Sequence, residues 1–160
     1  MASLARKGPL RGPFSLVLFL LLAGAAALST AAVEPPSLLL AERYRAGVDV
    51  SAYWVSEKLD GVRAIWNGRQ LHFRSGNPVP APRWFLERLP DQALDGELWL
   101  GRGTFDRVSA IVRRNPPDDA DWREIRYMVF EMPGAPGTFT ERLERLKSLV
   151  GGGVPPWLTL

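Results

Sequence analysis

The sequence predicts an α+β fold in which antiparallel strands are flanked by helices. Short stretches rich in β-branched and aromatic residues are bounded by turn residues, and two of them flank Asn67-Gly68, a dipeptide typical of tight hairpin turns. Stretches with helical spacing lie among these strands without the regular strand–helix–strand order of a parallel sheet. These observations indicate hairpin-linked strands rather than repeated parallel units.

The expected elements follow one another along the chain. A short helix is expected over 36–47, with Ser37 as its cap and Gly47 as its stop. Strands are expected in SAYWVSEK, VRAIWN, RQLHFRS, LDGELWLG and IRYMVFEM. Helices are expected in APRWFLERL, in TFDRVSAIVRR with Thr104 as its cap, and in TFTERLERLKSLV, whose apolar face comprises Leu143, Leu146, Leu149 and Val150. The closing GGGVPPWLTL predicts a loop.

The first 32 residues have the pattern of a secretory signal peptide. Three basic residues and no acid precede FSLVLFLLLAGAAALS, which is shorter than the ~20 residues of a membrane span, and small residues follow it. Cleavage is expected near 29–33, which predicts a periplasmic protein with no membrane span after cleavage. The alternative is an uncleaved signal that anchors the chain to the inner membrane. The remaining 33–160 suffices for one domain.

Composition excludes several classes of site. All 17 acidic residues follow residue 33, together with 17 of the 20 basic ones, so the formal charge of this part is zero. Overall basicity therefore gives no argument for nucleic-acid binding. The absence of cysteine excludes disulfides and thiolate metal sites. A single histidine, His72, excludes a histidine-rich metal cluster, and no G-x-S-x-G motif accompanies it.

The stretch SEKLDGVR contains the first candidate for chemistry. Beyond residue 33 the chain has two lysines and 15 arginines, so Lys58 stands out where arginine is the usual cation. A lysine can lose its proton and attack a carbonyl or phosphorus atom, whereas an arginine cannot. Asp60 could orient the amine or help hold a metal, Gly61 permits close approach of a ligand, and Arg63 could bind an anion. The alternative is a solvated lysine at a strand end.

Four segments in order then resemble the adenylation domain of ATP-dependent DNA ligases. SEKLDGVRAIW resembles the motif whose lysine becomes bound to AMP, and FRSGNPVPAPRWF, LDGELW and YMVFEMP resemble the motifs that follow it. GRGTFDRVSAIVRR further resembles small bacterial ligases that have export signals. The resemblance extends from about Leu38 to the C-terminus.

This resemblance implies roles for individual residues. Lys58 is the adenylated nucleophile, and Glu57, chiefly through its backbone, lies beside the adenine. Asp60 and Arg63 belong to the ATP and AMP site. Arg74 contacts the 5′-phosphate of the DNA.

Further roles follow from the later motifs. Glu97 reaches the ribose or a divalent metal, supported by Asp95 as a second metal residue, and Phe130 stacks on adenine. His72 is expected to be structural or to face DNA. The implied substrates are ATP, with Mg²⁺, and nicked double-stranded DNA, acted on by a monomer in repair, replication or recombination.

The sequence departs from the family pattern at several points. Phe73 stands where small ligases commonly have serine, and Glu131 stands where aspartate is usual. The later glutamate and lysine motifs and the OB-fold domain of the family are not found. We therefore expect 33–160 to be a partial, C-terminally truncated adenylation domain that seals nicks poorly or not at all. Two alternatives remain: an RNA ligase or capping-type nucleotidyltransferase, and a non-catalytic remnant that binds nucleotide or DNA.

Overall fold

The computed structural model describes residues 38–41 and 43–160. The described elements are a 3-10 turn (Val50–Ala52), β1 (Val62–Trp66), β2 (Leu71–Phe73), α1 (Arg83–Leu86), β3 (Leu94–Trp99), α2 (Phe105–Arg113), α3 (Asp119–Trp122), β4 (Arg126–Glu131), α4 (Phe139–Gly151) and β5 (Leu158–Thr159). The expected signal peptide lies outside the described residues. Within them, no helix is long and apolar enough to cross a membrane.

The five strands form one sheet in the order β2-β1-β3-β4-β5. All neighbouring pairs are antiparallel except β4 and β5, which are parallel. Helices lie between successive strands after β2, but three of the four strand pairs are antiparallel, so the predicted α+β class is confirmed.

One face of the sheet forms the core. Alternate residues of the central strands point into it, because successive side chains of a strand face opposite sides. Val108, Ile111 and Val112 of α2 and Leu146 of α4 belong to the same buried cluster. The opposite face of the central strands bears polar and aromatic side chains, namely Arg63, Asp95, Glu97 and Phe130. That face is the part of the fold that concerns function.

The predicted hairpin joins β1 and β2. Trp66 pairs with Leu71 across the turn, and Gly68 has a φ of +93°, which glycine adopts at little cost. The Asn67 side-chain oxygen accepts hydrogen bonds from the backbone N–H groups of Arg69 and Gln70, at 3.0 and 2.8 Å. Asparagine therefore closes the turn with its side chain as well as its backbone.

The C-terminal stretch is not the loop that the sequence predicts. Leu158–Thr159 pairs in parallel with β4, and the Tyr127 N–H donates to the Trp157 carbonyl at 2.7 Å. The Trp157 ring stacks on Phe85 with a centroid separation of 3.9 Å. Packing of these aromatic rings fixes the C-terminal segment. Its glycines and prolines are typical of a loop, so the sequence pattern does not reveal that it pairs with β4.

Two expected elements before β1 are wrong. The described parts of 36–47 are not helical, and SAYWVSEK is not a strand: Ser51 and Ala52 belong to the 3-10 turn, and the rest is chain without sheet partners. Tyr53, Trp54 and Val55 are 63%, 56% and 80% exposed. The alternation of apolar residues was therefore misleading, because none of these three side chains enters the core. The short helix α3 was missed, although Asp118 caps it by accepting from two backbone N–H groups.

Candidate active site

Lys58 lies in the exposed chain between the 3-10 turn and β1. Gly61, three residues later, joins this segment to β3 by donating its backbone N–H to Glu97 Oε1 at 3.1 Å. A Cβ added at Gly61 would overlap the Leu98 carbonyl oxygen and approach Glu97 Cγ to 2.8 Å. Glycine is therefore required here because this segment contacts the backbone of β3. The sequence had suggested a more general reason, namely the close approach of a ligand.

Glu97 is the half-buried carboxylate at the centre of this arrangement. Burial raises its pKa above the usual 4.5, and the Gly61 hydrogen bond and the charges of Arg63 and Lys58 oppose that rise. Among the described residues only Oε1 of Glu97 accepts a hydrogen bond, so Oε2 can receive a further partner.

Arg63 and Asp95 hold each other. Arg63 Nε donates to Asp95 Oδ1 at 3.0 Å and Nη2 donates to Oδ2 at 2.6 Å, while Nη2 also donates to the Leu39 carbonyl at 2.8 Å. Asp95 is completely buried. Two guanidinium nitrogens of Arg63, Nε and Nη2, are thus bound to protein here, and its place in the ATP and AMP site stays a prediction. The hydrogen bond from Arg63 to this carboxylate raises the pKa of Arg63.

Phe130 presents its ring beside the same guanidinium. The ring is 36% exposed, and Arg63 Cζ lies 5.4 Å from its centroid. Such a cation–π contact orients the ring without covering both of its faces. The exposed part of Phe130 therefore provides a planar apolar surface on β4, the strand that pairs with the one carrying Glu97, and such a surface suits stacking on a purine.

The carboxylates only partly fit a divalent metal. No group of three or more His, Cys, Asp or Glu side chains in the described residues could hold an ion. Asp95, predicted as a metal residue, directs both oxygens at Arg63, whereas Glu97 retains a free oxygen. Mg²⁺ commonly binds through one or two carboxylates together with substrate phosphates. Glu97 fits that pattern as a single protein ligand, and Asp95 does not in this arrangement.

Arg74 and His72 lie on the hairpin next to β1. The strand register brings Phe73 opposite Ala64, so Arg74 follows β2 at the end of the sheet where β1 begins, and it is exposed there. His72 Nδ1 lies 2.9 Å from the Gly76 carbonyl oxygen, and Asn67 Nδ2 lies 3.3 Å from His72 Nε2. His72 therefore holds the turn that presents Arg74, which agrees with its predicted structural role.

The predicted nucleotide residues Glu57 and Asp60 are both exposed. Glu57 accepts two hydrogen bonds from Arg102, from Nε at 2.7 Å and from Nη2 at 2.9 Å, and this contact lowers the pKa of Glu57. The Asp60 carboxylate forms no hydrogen bond with any residue that the structure describes, so its orientation of the Lys58 amine stays a prediction.

Sequence reasoning missed three side chains that support the site. Arg102 is one, and Trp54 is another: its Nε1 donates to Thr140 Oγ1 at 3.0 Å, and Lys147 Nζ lies 4.9 Å from its ring centroid. The third is Arg142, described below. Each is distant in sequence from its partner, so no local pattern could identify these contacts.

Arg142 of α4 binds Glu131 at the end of β4. Its Nε donates to Oε1 at 2.7 Å and its Nη2 to Oε2 at 2.8 Å, and the Met132 N–H donates to Oε1 at 2.7 Å. These contacts lower the pKa of Glu131, which is 4% exposed. The glutamate that replaces the usual aspartate therefore fixes the strand end directly after Phe130.

No protein-family model matches the chain. The chain is 43% identical to a DNA ligase of Haemophilus influenzae over 96 residues, which cover 59% of this chain and 35% of the relative. It also matches a solved structure from a structure–function analysis of Lig E DNA ligases concerned with DNA binding by a minimal scaffold. That match has a TM-score of 0.71 and 39% identity, and covers 78% of this chain and 49% of the other.

These matches confirm that the chain resembles DNA ligases in sequence and fold. The chain spans about half, or less, of the length of the relatives that it matches.

Proposed function

We propose that this chain performs the nucleotide-transfer chemistry of an ATP-dependent DNA ligase, with Lys58 as the nucleophile. One observation carries the proposal: the Lys58 segment joins β3 through Gly61 and Glu97, beside the exposed ring of Phe130, in a fold similar to that of a Lig E DNA ligase. The segment with the amine is thus joined to the strand that bears the carboxylate, and the aromatic ring lies on the neighbouring strand β4.

The proposed first step is attack of Lys58 Nζ on the α-phosphorus of ATP. A nitrogen–phosphorus bond forms, the bond from that phosphorus to the oxygen bridging to the β-phosphate breaks, and pyrophosphate leaves. The displaced amine proton passes to solvent. AMP then moves to the 5′-phosphate of a nick, and the 3′-hydroxyl displaces AMP to restore the DNA strand.

The chain's own residues contribute mainly by positioning, which is what phosphoryl-type transfer chiefly requires. Phe130 stacks on adenine, and the free oxygen of Glu97 meets the ribose or a metal ion. Arg63 and Asp95 support the Phe130 ring instead of contacting the phosphates of ATP. When Mg²⁺ is bound with ATP, it supplies positive charge that offsets the charge of the triphosphate.

The proposed second substrate is nicked double-stranded DNA, bound by a monomer. Arg74 is the candidate for the 5′-phosphate, because it is exposed at the end of the sheet where the Lys58 segment enters. A guanidinium suits a phosphate because it can donate two parallel hydrogen bonds. Replacement of Arg74 should therefore impair transfer to DNA more than formation of the lysine adduct.

We also propose that the protein acts after export to the periplasm. The support is the pattern of the first 32 residues, with a basic start and an uncharged apolar run. N-terminal sequencing of the protein recovered from a periplasmic fraction tests this. A new terminus near 29–33 would support export, and an intact N-terminus in the membrane fraction would favour the anchored alternative.

A pulse–chase reaction tests the proposed function. The protein is incubated with ATP labelled at the α-phosphate and Mg²⁺, and then chased with nicked DNA or nicked RNA. We expect label on the protein that Lys58→Ala and Lys58→Arg abolish and that Lys147→Arg leaves in place. Transfer to DNA supports the ligase assignment, transfer to RNA alone contradicts it, and the absence of labelled protein favours a non-catalytic chain. The same reactions measure the expected poor nick sealing.

A further inference from the structure

The segment 53–60, which contains Lys58, has no partner in the sheet. Its contacts with the rest of the described chain are a few side-chain tethers. Trp54 reaches Thr140 on α4, and Glu57 reaches Arg102 in the loop before α2. The position of Lys58 therefore depends on tethers beside it, because no strand ladder fixes its backbone.

Of these two tethers, the Glu57–Arg102 contact has the better geometry for fixing the position of the Lys58 segment. Both carboxylate oxygens accept from the guanidinium, at 2.7 and 2.9 Å, and this two-bond fork restricts orientation as well as distance. The loop that presents Arg102 is itself shaped by Gly101 and Gly103, whose φ values are +143° and +71°. Thr104 Oγ1 also donates to the Gly101 carbonyl at 2.7 Å. Arg102 thus extends from a structured loop to the residue directly before Lys58.

We propose that Arg102 is a positioning residue for Lys58, which it holds toward Glu97 through its two-bond contact with Glu57. The expected effect on the lysine adduct rests on the proposed function. The contact between Arg102 and Glu57 does not depend on it. Both side chains are largely exposed, at 81% and 47%, and such surface pairs contribute little to folding stability. The effect of Arg102 should therefore be local.

The test compares Arg102→Ala and Arg102→Lys with the charge-exchanged double variant Glu57→Arg/Arg102→Glu. We expect Arg102→Ala to slow formation of the lysine–AMP adduct about tenfold, with little change in thermal midpoint. Arg102→Lys should recover part of the rate because it keeps the charge but loses the fork. The exchanged pair should recover more than either single charge change. Arg107→Ala is the matched control, because Arg107 forms an exposed ion pair with Glu124, away from the Lys58 segment.

A second readout does not require turnover. Brief acetylation of the intact protein, followed by peptide mass spectrometry, gives the reactivity of Lys58 relative to Lys147. Arg102→Ala should change this ratio, because the lysine segment loses its tether, and the exchanged pair should restore it. If the wild-type protein forms no adduct while the ratio behaves as expected, the proposed function fails and the positioning inference stands.

Three results would overturn the inference. One is an unchanged ratio and an unchanged adduct rate in Arg102→Ala. Another is a fall in Arg107→Ala equal to that in Arg102→Ala, which would indicate a general charge effect. The third is failure of the exchanged pair to recover while Arg102→Lys recovers fully, which would mean that Arg102 binds the triphosphate directly.

Discussion

Arg63 and Asp95 form a two-bond ion pair between adjacent strands, directly beneath the Phe130 ring. The aspartate is completely buried and the arginine side chain is 19% exposed. A buried carboxylate needs such a partner, because an unpaired charge in the interior is costly. The pair therefore supports the surface proposed to receive adenine.

Asp95→Asn should lower the free energy of unfolding by about 3 kcal/mol, because it leaves the Arg63 guanidinium without its charged partner. Equilibrium unfolding in urea, read by tryptophan fluorescence, measures the change. Glu87→Gln is the control, since the Arg83–Glu87 pair is exposed and its loss should leave the free energy of unfolding nearly unchanged. Equal losses in the two variants would contradict the structural role of Asp95.

Gly61→Ala should be destabilising by about 2 kcal/mol and should impair the lysine adduct, because the new methyl group meets the Leu98 carbonyl. The backbone that precedes β1 must then move away from β3. Gly151→Ala provides the matched control, as no atom lies within 4 Å of its added Cβ and its φ is ordinary. Urea unfolding and adduct yield are measured on both, and an adduct yield in Gly61→Ala equal to that of the control would count against the contact.

Local patterns in the sequence were sufficient for much of the fold. The Asn67-Gly68 hairpin, the strand LDGELW and helix α4 were each predicted, because turn chemistry, alternation and helical spacing lie within a few residues. The strand Leu158–Thr159 was not, because only two residues pair, and their partner β4 is about 30 residues earlier. SAYWVSEK failed for the opposite reason: its pattern fits a strand, but it has no partner.

In the candidate site, too, some residues were predicted from local sequence patterns and others were not. Lys58, Glu97 and Phe130 were identified from the order of motifs, and the structure joins the segment that contains Lys58 to Glu97 through the Gly61 N–H. The partners that hold them were not predicted. Arg102 is 45 residues from Glu57, and sequence alone does not reveal which of the many arginines pairs with which acid. Tertiary structure decides that choice.

Glu131→Gln should remove stability at neutral pH and have less effect in acid. Arg142 lowers the pKa of Glu131 below its usual 4.5, so the folded state favours the charged carboxylate. That stabilisation is complete above pH 4.5 and is lost as the pH falls through the lower folded-state pKa. We expect a loss of about 2 kcal/mol at neutral pH. Urea midpoints across this range test the trend, and a loss that persists unchanged in acid would contradict it.

Glu97→Gln should have the opposite effect on stability. Burial raises the pKa of Glu97, so the folded state favours the protonated form, and stability falls as the pH rises above 4.5 through the higher folded-state pKa. The amide cannot ionise but can still accept from the Gly61 N–H. We expect stability at neutral pH equal to or above that of the wild type, with reduced adduct formation. Joint loss of stability and activity would mean that Glu97 is chiefly structural.

The central claim is that the Lys58 amine becomes bonded to AMP, and peptide mass spectrometry tests it most directly. The protein is incubated with ATP and Mg²⁺, digested, and searched for the mass of one AMP. The account predicts this mass on the peptide that contains Lys58, its loss when pyrophosphate is added, and an unmodified Lys147. An unmodified Lys58 in correctly folded protein, or AMP on another residue, would contradict the account.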